Sequence, residues 1–251
     1  MKNIIKFLSL GLIAITLTIA SCKKEPQKGN TTLNINHVVG TEALSFDEIK
    51  YTLAAGHSYS VSRLKYYISN VVLTTNEGAI HSVTTPFYCD AQDASTLSLD
   101  LGEVPAGTYS QISFTFGLNA TTNKPNALSN TTENINMIWP ISGEEGYHCM
   151  KLEGKYDSLS ANIITKNYNI HTGPAGGKDN SITFSFPLSS MIVDGNNWTI
   201  GLTMDVSQWF KEPITYDFED WGQMIMGNPN AQDTVKLNGA NAFSLGNVST
   251  K

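Results

Sequence analysis

The sequence has little charge, and what it has is mostly acidic. Charged residues make up 15% of the 251 residues, and 22 acidic side chains against 16 basic ones give a net charge of −6. Nucleic-acid binding depends on a basic surface that neutralises phosphates. The composition therefore excludes that class of partner and suits an exported β-protein rather than a helical cytosolic enzyme.

Standard catalytic signatures are missing as well. There is no G-x-S-x-G, no H-E-x-x-H, no C-x-x-C and no G-x-x-x-x-G-K. Two acidic pairs occur, Glu144-Glu145 and Glu219-Asp220, but adjacent carboxylates on a strand point to opposite faces and make a poor acid/base dyad. We interpret both pairs as surface residues and predict that the protein is not an enzyme. A hydrolase with an unfamiliar arrangement of histidine and acids is the weakest of three hypotheses.

Only one long hydrophobic run is present, and it lies at the N-terminus. Residues 7–20 are apolar, follow a segment with two lysines, and are too few for a membrane span of ~20 residues. They indicate a signal peptide over residues 1–21. The following Cys22 ends an Ile-Ala-Ser-Cys segment that resembles a bacterial lipobox, which predicts a lipid-modified Cys22 and a protein anchored to a membrane of the bacterial cell envelope. The alternative is an ordinary signal peptide that contains a cysteine.

The rest of the chain alternates between apolar and polar residues. We divide it into a polar tether over residues 22–30 and one domain over residues 31–251. Alternation of period two is typical of half-buried strands, and Asp205 is predicted to cap a short helix that includes Trp209 and Phe210. The sequence predicts an all-β fold, an antiparallel β-sandwich with short helical elements near the C-terminus. The alternating sets are Leu33, Ile35 and His37; Ile112, Phe114, Phe116 and Leu118; Ile182, Phe184 and Phe186; and Trp198, Ile200, Leu202, Met204 and Val206.

Two of the five histidines lie in the segment from Asn136 to Gly173, which also contains Trp139. Strand alternation would put His148 on one face with apolar Met150 and Leu152. A buried imidazole needs a partner, which can be a backbone carbonyl, a carboxylate or a metal. The spacing of His148 and His171 matches neither a helical zinc motif nor a zinc finger, so the residues alone leave these alternatives open.

The other histidines and the cysteines carry weaker signals. His37 shares a face with apolar residues and is a core residue or a third ligand, whereas His57 and His81 follow turn signals and are predicted to be exposed. The two remaining cysteines, Cys89 and Cys149, are either a disulfide or two buried thiols.

Several segments together resemble the MbnP-like copper-binding domain family. The resemblance covers nearly all of the chain after the leader. It is carried by GYHCMKLEGKY, the upstream MIWP, the downstream IHTG, LNINHVVGTEALSFDE, YSVSRLKYYISNVVLTTNEG, VPAGTYSQISFTFGLN, LTMDVSQWF and MIMGNPNAQD.

This resemblance implies a copper cofactor and assigns roles to four residues. His148 and His171 would be the principal ligands, with His37 as a third, because imidazole nitrogen suits copper and Cu(I) accepts few ligands. The family further implies that Trp139 is oxidised to kynurenine, whose aniline nitrogen helps to bind copper, and that a dihaem cytochrome peroxidase is the partner that performs this oxidation. Ile141 stands where one version of the family segment has a second tryptophan.

A second hypothesis needs no metal. The same β-sandwich could be a binding module that grips a glycan or a protein partner through aromatic loop residues such as Tyr66, Tyr67 and Trp221, since a fold does not fix a function. Exposed aromatic side chains would favour this hypothesis.

Overall fold

Strands form most of the chain that the computed structural model describes, residues 25–251. The predicted signal peptide and Cys22 lie outside the described residues. The first strand begins at Gly29, so the last two residues of the predicted tether already belong to a sheet. The strands are β1 (Gly29–Val39), β2 (Glu42–Ala43), β3 (Tyr51–Thr52), β4 (Ser58–Tyr59), β5 (Arg63–Thr75), β6 (Ile80–Val83), β7 (Phe87–Asp90), β8 (Ser98–Val104), β9 (Gly107–Phe116), β10 (Met150–Asp157), β11 (Thr165–Thr172), β12 (Ile182–Val193), β13 (Trp198–Asp205) and β14 (Phe243–Thr250).

Helices are short and few. They are α1 (Thr132–Asn136), α2 (Phe218–Trp221) and α3 (Pro229–Gly239), with 3₁₀ turns at Ala94–Thr96, Ala175–Gly177 and Val206–Phe210. Asp205 caps the last of these turns by accepting a hydrogen bond from the Ser207 amide at 3.0 Å, as predicted. Among the described residues, no helix is long and apolar enough to cross a membrane.

The strands form two sheets. The smaller sheet has the order β14–β13–β1–β2, with β8 also paired to β1. The larger sheet has the order β12–β9–β5–β10–β4–β3, with β11 beside β10 and with β6 and β7 beside β5. All named strand pairs are antiparallel except β1 with β13, which is parallel. The prediction of an all-β sandwich with short helices near the C-terminus is confirmed.

The core lies between the two sheets and is largely aromatic. Phe243 of β14 packs against Tyr66, Phe114 and Phe184 of the larger sheet, with ring centroids 4.9 to 6.5 Å apart. Each buried side chain of this size contributes about 1.5–3 kcal/mol through removal of apolar surface from water. The alternation in β1, β9, β12 and β13 correctly predicted most of the inward-facing residues. Leu118 is the exception, because it lies beyond the end of β9 and packs in a second cluster with Tyr67, Met137 and Tyr147.

Two exposure predictions are wrong. Tyr66 and Tyr67 are buried within β5 rather than displayed in a loop, so they cannot grip a surface partner. His57 is 0% exposed, because its Nδ1 faces the carbonyl oxygen of Asp157 at 2.8 Å and its Nε2 faces the Asp217 carboxylate at 3.1 Å. The residues before His57 do form the predicted turn, but Asp157 and Asp217, from two later segments of the chain, cover the imidazole.

The two cysteines within the described residues are both free and buried. Burial raises the pKa of each thiol to about 12, which keeps them protonated. Of the two alternatives for Cys89 and Cys149, buried thiols are therefore what the structure contains.

Candidate metal centre

A short hairpin before β10 positions Trp139 and His148. The amide of Trp139 donates to the carbonyl oxygen of Gly146 at 2.9 Å, and Ile138 pairs with Tyr147 in an antiparallel bridge. The long loop that precedes the hairpin holds it from outside, because the Asn123 amide side chain bonds both backbone groups of Tyr147. The loop thus fixes the two candidate residues on one rigid unit.

The backbone bends at Cys149, and this bend changes the direction of His148. Strand β10 begins only at Met150. The prediction that His148 shares a face with Met150 and Leu152 is wrong, because alternation does not extend across a bend. The imidazole instead packs on His171, with ring centroids 5.2 Å apart and planes at 86°.

His171 reaches this place through the register of β10 with β11. Residues directly opposite in an antiparallel pair share a face, and His171 is opposite Lys151. Both side chains are half-buried on the outer face of the larger sheet, whereas Met150 and Leu152 point into the core. The chain therefore brings together two imidazoles that are 23 positions apart in the sequence.

Trp139 also packs against His148. Its ring lies 4.9 Å from that of His148, centroid to centroid, and the side chain is 3% exposed. Gly173 passes directly beneath the indole, where a Cβ atom would stand 2.4 Å from the ring. Only glycine permits this close approach, so the indole and the end of β11 are in tight contact.

His148 has a fixed tautomer and a free nitrogen. Its Nδ1 lies 2.9 Å from the carbonyl oxygen of Met137, which can only accept, so Nδ1 carries the proton and Nε2 keeps the lone pair. Burial lowers the pKa of His148 to about 3, so the ring is neutral at physiological pH. The buried Nε2 has no hydrogen-bond partner among the described residues, at a typical cost of ~1–3 kcal/mol.

His171 is oriented by a carboxylate. Its Nε2 lies 2.7 Å from Oε1 of Glu153, whose other oxygen accepts from Arg63 at 2.7 Å. Burial raises the pKa of Glu153, but the hydrogen bonds from His171 and Arg63 outweigh this and lower it to about 2. An ionised carboxylate can only accept, so Nε2 of His171 donates to it, and the neutral form of the ring then has its lone pair on Nδ1.

Sequence reasoning missed three supporting residues. Glu144, predicted to be a solvated surface residue, accepts from Nε1 of Trp139 at 3.3 Å and from the Gly176 amide at 2.6 Å. Glu153 orients His171. Gln232, in a helix that was not predicted, is 0% exposed and donates to the carbonyl oxygen of His171 at 2.7 Å. No local signal marks Gln232, and strand alternation puts Glu153 on the face of Lys151 but does not show that His171 lies beside it.

His37 lies elsewhere. Its Nε2 is 2.8 Å from the hydroxyl of Tyr66, which faces the core between the sheets. Because His171 is on the opposite face of the larger sheet, that sheet separates His37 from the other two histidines. Burial lowers the pKa of His37 to about 4. The arrangement fits a core histidine rather than a third ligand.

The remaining pair has the chemistry of a metal site with few ligands. Bonds between metals and imidazole nitrogen are about 2.0 Å long, so two rings that share one ion have centroids from about 4.5 Å apart for a right angle at the ion to about 6.3 Å for a straight one, and the observed 5.2 Å lies in this range. Both imidazoles also have an outer partner that fixes the tautomer, as metal-bound histidines almost always do. Within residues 25–251, no group of three or more His, Cys, Asp or Glu side chains is arranged to hold an ion. Two imidazole donors alone would suit only an ion that accepts low coordination, such as Cu(I).

Comparison with known proteins supports one family. The MbnP family model matches residues 28–226. A solved structure, MbnP from Methylosinus trichosporium, superposes with a TM-score of 0.53 at 12% sequence identity, over 88% of this chain and 99% of that chain. At this identity the likeness shows a shared fold alone. No curated protein matches the chain. Because the family model spans most of its length, the chain belongs to the MbnP family.

Proposed function

We propose that this protein binds copper through His148 and His171 and is a lipoprotein of the bacterial cell envelope rather than an enzyme. Copper binding is known for the MbnP family. The observation that supports it most in this chain is the buried Nε2 of His148, which has a fixed lone pair, no partner among the described residues, and a second imidazole beside it. A buried nitrogen without a partner is costly unless an ion occupies the position.

Copper would be held by nitrogen, and the surrounding residues keep that nitrogen available. The carbonyl oxygen of Met137 and the carboxylate of Glu153 each occupy one ring nitrogen, which would leave Nε2 of His148 and Nδ1 of His171 to hold the ion. Trp139 excludes water from one side of His148, which is 2% exposed. When bound, copper would supply an electrophilic centre for soft or nitrogen ligands. The direct test is titration of the purified protein with Cu(I) against a competing chelator, which should give one tightly bound ion per chain.

Glu153 is expected to strengthen the binding of copper. Replacement Glu153→Gln removes the negative charge that holds the proton on Nε2 of His171, and loss of such an outer partner typically weakens metal binding by about 10–100-fold. The measurement is chelator competition with the purified variant. Glu219→Gln is the matched control, because Glu219 pairs with Lys166 at the surface and should leave the affinity unchanged. Equal affinities in both variants would contradict the proposed orientation of His171.

We propose further that Trp139 is converted to kynurenine by a dihaem cytochrome peroxidase partner, with hydrogen peroxide as the oxidant and the indole C2 released as formate. This modification would convert the indole nitrogen, which now donates to Glu144 at 3.3 Å, into an aniline nitrogen and so add a donor to the residue that packs on His148. Peptide mass spectrometry of protein isolated from cells that contain the partner should show the mass of kynurenine at position 139. The other tryptophans, such as the buried Trp209, serve as internal controls. An unmodified Trp139 in that preparation would end this part of the proposal.

We also propose that a lipid attached to Cys22 anchors the protein to a membrane. Cys22→Ser should release the protein from the membrane fraction, because lipid is attached to the thiol. Cys89→Ser is the matched control, since that thiol is buried in the domain and should not affect fractionation. Unchanged membrane association of Cys22→Ser would remove the lipobox interpretation.

A further inference from the structure

A short segment after α2 lies along the outer edge of β11. The amide of Asn169 donates to the carbonyl oxygen of Gln223 at 2.6 Å, and Asn169 forms a parallel bridge with Met224. Gln232 ties the same segment to the metal centre, because its Nε2 donates both to the carbonyl oxygen of His171 and to that of Ile225, at 2.7 and 3.1 Å. This segment therefore runs directly beside His171.

The register puts the thioether of Met224 on the side of the sheet that carries His171, and a second thioether, that of Met226, follows two residues later. Paired residues share a face, so Met224 lies on the face of Asn169, which is opposite Glu153 in β10 and two residues from His171. Met224 is 73% exposed, Ile225 is buried and Met226 is half-buried. Met226 lies in the turn that follows the bridge, where the amide of Asn228 donates to the carbonyl oxygen of Ile225 at 2.9 Å.

Exposure of these methionines is unusual for this chain. Met137, Met150, Met191 and Met204 are each 0% exposed. Leaving a methionine side chain in water forfeits about 1.5–3 kcal/mol of burial free energy. Cys89 and Cys149 are buried. Within residues 25–251, accessible sulfur is therefore confined to the edge beside His171.

The two histidines differ in their access to solvent. The His171 side chain is 12% exposed, whereas His148 is 2% exposed and covered by Trp139. His171 is therefore the more accessible of the two histidines to an ion from solvent. The thioethers are neutral, soft ligands with no proton to lose, and such ligands select Cu(I) over hard ions.

We propose that Met224 and Met226 form a surface docking site that receives Cu(I) and passes it to His171 and then His148. The inference rests on the proposed copper function and adds an entry route to it. In each step one copper–sulfur bond is replaced by a copper–nitrogen bond, and copper remains Cu(I). The two methionines raise the rate at which Cu(I) is taken up, but they do not change the number of ions bound at the end.

The kinetic test uses the double variant Met224→Leu/Met226→Leu of the full chain. Leucine preserves volume and hydrophobicity but removes the sulfur. Uptake of Cu(I) from a coloured chelator, followed by stopped-flow absorbance, should slow by about tenfold or more, while the final loading stays at one ion per chain. Gln223→Leu, in the same segment but without loss of a sulfur atom, is the matched control and should load at the native rate.

A second measurement tests docking itself. Ag(I), a redox-stable mimic of Cu(I), is added to two equivalents, and a brief hydrogen peroxide pulse is followed by peptide mass spectrometry. Ag(I) should slow sulfoxide formation at Met224 and Met226 by about tenfold, because a coordinated sulfur has lost the lone pair that peroxide attacks. The four buried methionines provide the internal reference.

The outcomes separate the two proposals. Native uptake in the double variant, or equal oxidation with and without Ag(I), overturns the docking site while the histidine site loads normally. Failure of the native protein to bind Cu(I) at all overturns the proposed function and the docking site together. Slow uptake with full final loading, together with protection from oxidation, supports the docking site.

Discussion

Replacement of His148 by alanine is expected to abolish tight copper loading. His148 supplies the buried nitrogen whose lone pair is fixed by the carbonyl oxygen of Met137, and alanine offers no donor in its place. We expect the affinity for Cu(I) to fall by about a thousandfold, which corresponds to ~4 kcal/mol. Under a competing chelator the bound metal should drop from one ion per chain to almost none, as measured by elemental analysis.

Two further variants separate ligand loss from damage to the fold. His148→Phe keeps a ring between Trp139 and His171, so it should lose copper while retaining the native melting transition. His37→Ala should load normally, because His37 is bonded to Tyr66 on the far face of the larger sheet. Full loading of His148→Ala, or loss of loading in His37→Ala, would contradict the ligand assignment.

Replacement of Gln232 by alanine should destabilise the whole domain and weaken the site. The buried amide accepts from Gly173 at 3.2 Å and donates to the carbonyl oxygens of His171 and Ile225, so it joins α3 to the end of β11. Each buried backbone group left without a partner costs about 1–3 kcal/mol. We expect the free energy of unfolding to fall by about 3 kcal/mol or more, measured by urea denaturation of the copper-free protein.

The control for this variant is Asn230→Ala in the same helix. Asn230 is exposed, so its truncation tests whether any loss of side chain in α3 has the same effect. It should change stability by less than ~0.5 kcal/mol. Similar denaturation midpoints for the two variants would mean that Gln232 does not hold β11 in place.

The inward faces of the strands could be predicted from sequence because they depend on local alternation. Ile112, Phe114 and Phe116 in β9 and Ile200, Leu202 and Met204 in β13 are buried as expected. Apolar and polar residues alternate wherever one face of a strand packs on the core, because every second side chain is buried there. The cap at Asp205 was predictable for the same reason, since a cap and its helix are adjacent in sequence.

The site itself depends on long-range register, which no local pattern encodes. His171 meets Glu153 only because β11 pairs with β10 in one alignment, and His148 turns toward His171 only because the chain bends at Cys149. Gln232 contributes from a helix with weak apolar periodicity, so its role depends entirely on the tertiary contacts of α3. The resemblance to a family predicted the two histidines, but it did not predict the Glu153 carboxylate or the Gln232 amide that hold His171 in place.

The most direct test of the copper centre is X-ray absorption at the copper edge on Cu(I)-loaded protein. Two imidazole rings should appear as nitrogen neighbours at about 2.0 Å with the outer-ring scattering typical of histidine, and His171→Ala should remove one of them. A first shell dominated by sulfur at about 2.3 Å, or a spectrum that is identical in His171→Ala, would contradict a centre built on His148 and His171.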